Sequence, residues 1–562
     1  MRRVSQLVEC VPNFSEGRDP AIIKQIADAI GAVDGVTLLD VDPGAATNRT
    51  VVTFVGPPGP VVEAAVRAGA KAKALIDMRA HTGAHPRFGA MDVCPLVPVA
   101  GIAMDGVVDA ARGLAARLGE ELGISGYLYE YAATTPARRN LAACRAGEYE
   151  GLADKLADPA WKPDFGPGVL DPRFGVTAVG ARDFLVAYNV NLNTTSVRRA
   201  NAIAFDVREK GRMTLADGVP VLDAQGERVW QPGSLRAVKA IGWYIEEYGI
   251  AQISMNLTNI AVTPVHVAFD ECCVKAQARG IRVTGSEIVG LVPLASMLDA
   301  GRHYLRKQQR SLGVPDAELI AIAVRSMGLD ELRPFDPHEK IIEYAVERQA
   351  PRARLVDRSV EAFVHRTASE SPAPGGGSVA ALMGALGAAL ATMVANLSAH
   401  KRGWDDRWEE FSDWAQQGTA LHDELLSLVD LDTDAFDAVI RALGLPRQSE
   451  AEQAERHRAI QAATREAIEV PLRVMRRSLD GFEVIKAMVD QGLPASISDA
   501  AVAALAARSA VVGAGLNVRA NLKQIEDRTW AAEALAEAKQ LEDAAIAAER
   551  EILETVRGRI SS

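Results

Sequence analysis

Residues 378–399 read SVAALMGALGAALATMVANLSA, a run of apolar and small residues without a single charge. Its length allows a bilayer span. Alanine and glycine, however, contribute little insertion energy, and no second span accompanies it in the sequence. Small residues recur at Ala380, Gly384, Ala388 and Ala395, near a helical period, as in helices whose backbones approach closely. We therefore expect a tightly packed helix inside a soluble bundle. That choice decides the fold of everything around it. From residue 358 to the end there is almost no alternating pattern. The stretches DAAVAALAARSAVVGAGLNVRANL (499–522) and WAAEALAEAKQLEDAAIAAEREILETV (530–556) extend the same alanine-rich character, which implies helices packed on helices.

Upstream, LRPFDPHEK (332–340) and QAPRARLVD (349–357) are rich in proline and charge and read as a linker over 331–357. Before it the character changes. QLVECVPN (6–13), VTLLDVD (36–42), TVVTFVG (50–56) and VCPLVPV (93–99) have strand-like patterns. PAIIKQIADAIGA (20–32) and the helical run at 57–77 separate them in the order β-α-β-β-α-β, that of a split βαβ unit. The order recurs from DFLVAYNVNL (183–192) to IRVTGSEIVGLVP (281–293), interrupted by RMTLADGVPVLDAQGERVWQPGSL (212–235), which reads as a hairpin insertion. The expected class is α/β plus all-α: two βαββαβ-like lobes at 1–178 and 179–330, the linker 331–357, and an all-helical domain at 358–562. A cleft between two such lobes is a common place for a ligand.

Composition narrows the function. The chain has 562 residues and a net charge of −11, with 48% hydrophobic and 24% charged residues. An acidic chain argues against a nucleic-acid binder, which neutralises phosphates. Five cysteines (Cys10, Cys94, Cys144, Cys272 and Cys273) show no metal or disulfide spacing, as in a cytoplasmic protein. The start, MRRVSQLVEC, lacks the apolar core of a signal peptide. No membrane or nucleic-acid partner is expected.

The stretch HTGAHPRFGAMDVCP (81–95) concentrates chemistry-bearing residues. Two histidines four apart on a helix can share zinc. Here Pro86 disfavours helical geometry at His85, glycines remove further propensity, and no third ligand stands at a familiar spacing. No metal is expected. A braced loop entering a strand instead suits a histidine acting as general base; equally, such a histidine can simply satisfy loop carbonyls.

LVECVPNFSEGRD (7–19), LLDVDPGAATNRTVVTFVGPP (38–58), HTGAHPRFGAMDVCPLVPV (81–99), AGEYEGLADKL (146–156), WKPDFGP (161–167) and SEIVGLVPL (286–294) closely resemble the glutamate formiminotransferase domain. SPAPGGGSVAALMGALGAAL (371–390), LVDLDTDAF (428–436) and SDAAVAALAARSAVVGAGLNVRANL (498–522) resemble the cyclodeaminase domain. Together they span nearly the whole chain in the order of the fused formimidoyltransferase-cyclodeaminase family. The insertion 212–235 is longer than the family's version.

The resemblance implies two reactions on one folate. A formimino group passes from N-formimino-L-glutamate to N5 of tetrahydrofolate, and ring closure then gives 5,10-methenyl-tetrahydrofolate and ammonia, in histidine degradation. The family's catalytic histidine falls on His85, with His81 as a supporting neighbour and Asp42 as the orienting carboxylate. The family's folate-binding segment falls on Gly166, Pro167, Gly168, Val169, Leu170, Asp171, Pro172, Arg173, Phe174 and Gly175. Arg49 and Arg87, beside the motifs, are candidates for substrate carboxylates or for structural salt bridges. In the second domain the catalytic aspartate lies in LVDLDTDAF. Asp432 is favoured and Asp430 is second, with Asp434 sharing the Asp430 face.

Gly375, Gly376, Gly377 and Ser378 open the uncharged helix and present backbone N–H groups. Asn517 and Asn521 either hydrogen-bond the pteridine or bond across the helical interface. Tetrahydrofolate is expected as a substrate carrying a polyglutamate tail, which the basic run RHYLRKQQR (302–310) would dock, and the family suggests a homo-oligomer. Two alternatives are an active transferase with a helical half that only assembles, and a folate-binding protein without turnover.

Overall fold

The computed structural model describes residues 6–45, 47–83, 86–217, 219–349 and 354–561. The chain forms two compact units. Of the described residues, one holds those within 6–297 and 324–349; the other holds 298–323 and 354–561.

The α/β unit begins with β1 (Leu7–Cys10), β2 (Asn13–Phe14), α1 (Pro20–Gly31), β3 (Thr37–Gly44), β4 (Arg49–Gly56), α2 (Pro58–Leu75), β5 (Met91–Ala100), α3 (Met104–Leu122), β6 (Gly126–Glu130), α4 (Leu141–Arg145), α5 (Leu152–Ala157) and β7 (Thr177–Ala181). β1 and β2 act as one interrupted strand, because both lie antiparallel between β4 and β5. β3 extends the sheet beyond β4, while β7 and β6 add parallel strands beyond β5. Helix α1 starts where the Asp19 side chain accepts from Ala21 and Ile22 N–H, and it buries Ile23, Ile26, Ala27 and Ile30. That spacing is one helical stripe. The stripe joins Val8, Phe54, Val61, Leu96 and Leu114 in the core beneath α1–α3. A smaller cluster, Phe88, Val93, Tyr127, Tyr129, Cys144 and Val176, packs separately.

The second lobe runs β8 (Val186–Leu192), α6 (Val197–Val207), the short strands β9 (Arg212–Met213), β10 (Leu215–Ala216), β11 (Val219–Pro220) and β12 (Trp230–Gln231), then β13 (Val238–Ile245), β14 (Ile250–Leu257), α7 (Val265–Gln277) and β15 (Val283–Val289). Its sheet order is β13-β14-β8-β15, all antiparallel. The first lobe has the corresponding order β3-β4-β1-β5, so the repeated βαββαβ pattern read from element order is a repeated topology. The insertion 212–235 pairs with itself as two small hairpins, β10–β11 and β9–β12.

After α8 (Leu294–Lys307) and α9 (Asp316–Met327) come α10 (Pro337–Lys340) and α11 (Ile342–Gln349). The stretch read as a linker over 331–357 is therefore partly folded. Ile341 and Ile342 are fully buried, and the Ile342 N–H donates to the Val292 carbonyl. Flanking charges hide this short apolar step in the sequence. Residues 298–323, expected within the second lobe, lie with the helical unit instead. There Leu312 N–H donates to Ser412 Oγ at 3.0 Å, and Asn396 Nδ2 donates to the Gly313 carbonyl at 2.7 Å.

The helical unit continues with α12 (Val360–Thr367), α13 (Gly376–Ala399), α14 (Trp408–Leu443), α15 (Glu450–Gln491), α16 (Ile497–Leu522) and α17 (Arg528–Ser561). Helix α13, the uncharged segment, is its centre. Ala380, Ala381, Ala388, Ala391, Val394 and Ala395 are buried in a core shared with Phe411, Leu428, Ile468, Met475, Ala503 and Val511. Gly384 lies against Ser478, Leu425 and Ala510, and Gly387 against the Ala503 carbonyl, so small residues let helix axes close up. A second helix, Pro494–Leu522, also passes the length and composition test for a span. This corrects the expectation that the first stands alone. Both alternate buried small residues with neighbours on adjoining helices, which accounts for their composition by packing.

Candidate active sites on the α/β and helical units

The loop after α2 is held in place by Asn48, which stands at positive φ just before β4. Its side-chain oxygen accepts from Gly17 N–H at 2.9 Å, and its Nδ2 donates to the Thr82 carbonyl at 3.0 Å. The Asn48 carbonyl takes the remaining link, at 2.8 Å from His81 Nε2. A carbonyl only accepts, so Nε2 carries the hydrogen, and buried Nδ1 is left without a partner among the described residues. His81 is thus a buried brace, while His85 lies outside the described residues. Further along, Ser15 Oγ donates to the Gly89 carbonyl at 2.8 Å. The SEG, NRT and HTG motifs, far apart in sequence, are one hydrogen-bonded cradle.

Arg87 also belongs to that cradle. Its Nε donates to Glu150 at 2.9 Å, its Nη1 donates to the carbonyls of Met78 and His81, and its guanidinium covers the Tyr149 ring. Of the two readings left open for it, the structure supports the structural one. Arg49 is different. Its Nε donates to Asn13 Oδ1, and its Nη1 lies 3.5 Å from Asp92, which is also reached by Arg145 at 3.0 Å. Burial pushes the Asp92 carboxyl up to about 6, against the pull of Arg145 and Arg49. Two guanidiniums on one buried carboxylate leave a net positive charge beside the loop. Sequence reading missed Asp92 and Arg145, although Arg145 immediately precedes the AGEYEG motif and Asp92 sits in MDVCP. Asp42 stands exposed on β3 opposite Val51. No contact of its side chain with the cradle is present among the described residues.

The segment 166–175 is built against the first lobe. Gly166, Gly168 and Gly175 all take positive φ. Phe174 is buried, and Asp171 accepts from the backbone of Arg173 while lying 3.6 Å from Lys73. Arg173 donates to the Ala74 carbonyl, and Tyr149 Oη to the Pro172 carbonyl. Val169, at the tip, is 70% exposed, and Gly166, Pro167, Pro172 and Arg173 also present themselves to solvent. A cavity of about 340 Å³, lined by Arg112, Gly119, Asp164, Phe165 and Gly166, opens at the start of the segment. Asp164 beneath it is gripped by Arg138 and by the Leu128 N–H.

In the helical unit the glycine-rich opening of α13 faces Asp432 on α14. Ser378 Oγ donates to Asp432 Oδ2 at 2.9 Å, and Thr433 Oγ1 lies 3.4 Å from the same hydroxyl. A methyl group on Gly377 would overlap the Asp432 carboxylate, so this close approach requires glycine. Burial raises the Asp432 carboxyl above the usual carboxylate range, while hydrogen bonds from the Ser378 hydroxyl and N–H hold it down. On the other side, the Asn517 amide sits beside Gly376, its Nδ2 donating to the Gly513 carbonyl. Asn521 donates across to the Ala467 carbonyl of α15, an interface role. Asp430 accepts from Leu355 N–H at 2.6 Å and so ties down the incoming chain. Gly376, Gly377, Ser378, Asp432 and Asn517 are brought together, Gly375 standing just before them as the N-cap of α13; Asp430 and Asn521 are used elsewhere.

Family models match in sequence along the chain: the formiminotransferase domain, N-terminal subdomain, over residues 7–182, the formiminotransferase domain over 187–347, and formiminotransferase-cyclodeaminase over 359–540. The formimidoyltransferase-cyclodeaminase of Rattus norvegicus is 44% identical over 524 residues, covering 93% of this chain and 94% of the relative. The chain belongs to the formiminotransferase-cyclodeaminase family. Within it, each half also has free-standing relatives. The glutamate formimidoyltransferase of Thermoplasma acidophilum is 45% identical over 303 residues, which are 53% of this chain and 92% of that protein. The crystal structure of formiminotetrahydrofolate cyclodeaminase from Thermotoga maritima is 28% identical, covers 36% of this chain and 98% of its own, and superposes with a TM-score of 0.33. Among the described residues, no group of three or more histidine, cysteine, aspartate or glutamate side chains is placed to hold a metal ion.

Proposed function

We propose that this family member carries out both reactions on one folate. The α/β unit moves the formimino group from N-formimino-L-glutamate to N5 of tetrahydrofolate, and the helical unit closes the ring to 5,10-methenyl-tetrahydrofolate with loss of ammonia. In the first step N5 adds to the amidine carbon, and the carbon–nitrogen bond to glutamate breaks. His85 takes the N5 proton and returns it to the departing glutamate nitrogen. Asp42 steadies the imidazolium that forms between the two transfers. The exposed tip of the 166–175 segment receives the folate. Arg49, beside Asp92 and Arg145, faces the substrate's carboxylates.

In the second step N10 adds to the formimino carbon, its proton passing to the imino nitrogen. Asp432 protonates that nitrogen, which leaves as ammonia, and the methenyl bridge keeps the positive charge. A carboxyl raised by burial stays protonated to a higher pH than a free one, as a general acid requires. The single observation that carries the reading is this glycine-cradled Asp432, in a chain that also holds a full transferase half. The folate is polyglutamylated, and the basic run 302–310 meets its tail. Arg302 and Arg310 of the same run are engaged with Asp299 and Glu318. Five free cysteines fit a cytoplasmic enzyme. The reaction fits a place in histidine degradation, and a homo-oligomer is the assembly that the family resemblance suggests.

The test supplies N-formimino-L-glutamate and tetrahydrofolate and follows glutamate, ammonia and methenyl-tetrahydrofolate. All three are expected. Glutamate without ammonia means an inert helical half, and neither product means a folate binder.

A further inference from the structure

Arg145 ends the five-residue helix α4 and makes an incomplete ion pair. A guanidinium and a carboxylate normally meet side-on through two parallel hydrogen bonds. Here one nitrogen, Nη2, serves both the Asp92 Oδ2 at 3.0 Å and the carbonyl of Pro86 at 2.7 Å. As a result Arg145 Nε and Asp92 Oδ1 are both buried with no hydrogen-bond partner among the described residues. Leaving a buried donor and a buried acceptor unpaired is destabilising. The arrangement therefore gives up local stability in order to grip one carbonyl, and that carbonyl belongs to the residue immediately after His85.

The surroundings are built to hold Arg145 there. Lys155 Nζ donates to the carbonyls of Ala143, Cys144 and Ala146, on either side of Arg145, and lies 4.0 Å from the Trp161 ring centroid. Asp92, 1% exposed, faces Arg49 from β4 and Arg145 from α4, with Tyr129 of β6 near Arg49. Arg49 is held in turn by Asn13. Every cation around the carboxylate is fixed from a different element, so the guanidinium has a rigid anchor on one side and a loop on the other.

We propose that Arg145, anchored on Asp92, is a positioning residue for the transferase reaction: it holds the carbonyl of Pro86, the residue next in the chain to the proposed general base His85. The proposal rests on the transferase reading given above. Misplacement of a catalytic group by about 1 Å costs about 10²-fold in rate. Arg145→Lys keeps the charge, but its ammonium ends one bond short of the Nη2 position that reaches both the carboxylate and the carbonyl, so it is the informative variant. Arg145→Ala with added ethylguanidinium is its complement.

In the full-length enzyme, kcat for glutamate formation is expected to fall by about 10²-fold in Arg145→Lys, with KM for both substrates and the affinity for tetrahydrofolate unchanged. Ethylguanidinium is expected to restore part of kcat in Arg145→Ala. Asp92→Asn is expected to reproduce the kcat loss. Wild-type kcat in Arg145→Lys overturns the proposal. So does a rise in the formiminoglutamate KM at constant kcat, which would make Arg145 a direct carboxylate ligand. Loss of folate binding together with activity makes it merely structural, which also overturns the proposal. Failure of the wild-type chain to transfer the group at all sinks the transferase reading instead.

Discussion

Asp432 and Glu9 show how far single residues carry the account. Asp432→Asn removes a general acid without changing shape, and cyclodeaminase turnover is expected to drop by about 10²–10⁴-fold, read as ammonia release from 5-formimino-tetrahydrofolate. Because burial raises its carboxyl, wild-type turnover should decline as pH rises through a value above the ordinary carboxylate range. An alkaline limb that persists unchanged in Asp432→Asn would assign the acid elsewhere. Glu9, on β1, is pushed up from 4.5 to about 7 by burial, with Arg182 pulling the other way. The folded state therefore holds a proton between about 4.5 and 7 that the unfolded chain releases. Stability from this group is greatest at low pH and is lost as pH rises through that window, by about 3 kcal/mol in all. Glu9→Gln should flatten this dependence, so its thermal midpoint relative to wild type rises between pH 5 and pH 8; an unchanged difference contradicts the buried-proton picture. His81, Asp432 and the 166–175 segment were legible because long motifs surround them. Asn48, Asp92 and Arg145 were not, since their roles arise from chain segments 33 to 53 residues apart that meet only in the fold.

At the scale of elements, the opening of α13 is the sharpest case. Composition alone left it between a span and a packed helix, and the two readings differ only in what surrounds it. Alternating small residues were the legible signal; the neighbours Phe411, Ile468 and Ala503 were not. Gly377→Ala places a methyl group on the Asp432 carboxylate. We expect cyclodeaminase turnover to be lost while the helical content by circular dichroism and the transferase rate stay at wild-type levels. Retained ammonia release would mean that Asp432 and the glycine turn do not act together. The repeated βαββαβ order of the two lobes was visible from the alternation of strand and helix patterns alone, because each element's apolar period matches its face. The segment Pro337–Gln349 was hidden for the opposite reason. Its buried Ile341 and Ile342 are two residues in a charged surrounding, too few to make a period.

For the whole molecule, the change from alternating strand and helix patterns to an all-helical pattern from residue 358 corresponds to two units with separate cores and separate candidate sites, with 298–323 joining the helical one. With separate cores and separate candidate sites, the two activities should be separable by single substitutions in the intact chain. The most direct measurement supplies N-formimino-L-glutamate and tetrahydrofolate to wild type, His85→Asn and Asp432→Asn, and quantifies glutamate and ammonia in the same reaction. We predict equal glutamate and ammonia from wild type, glutamate without ammonia from Asp432→Asn, and neither from His85→Asn, which still releases ammonia from added 5-formimino-tetrahydrofolate. Ammonia at the wild-type rate from Asp432→Asn, or glutamate at the wild-type rate from His85→Asn, would contradict the division of chemistry between the two units.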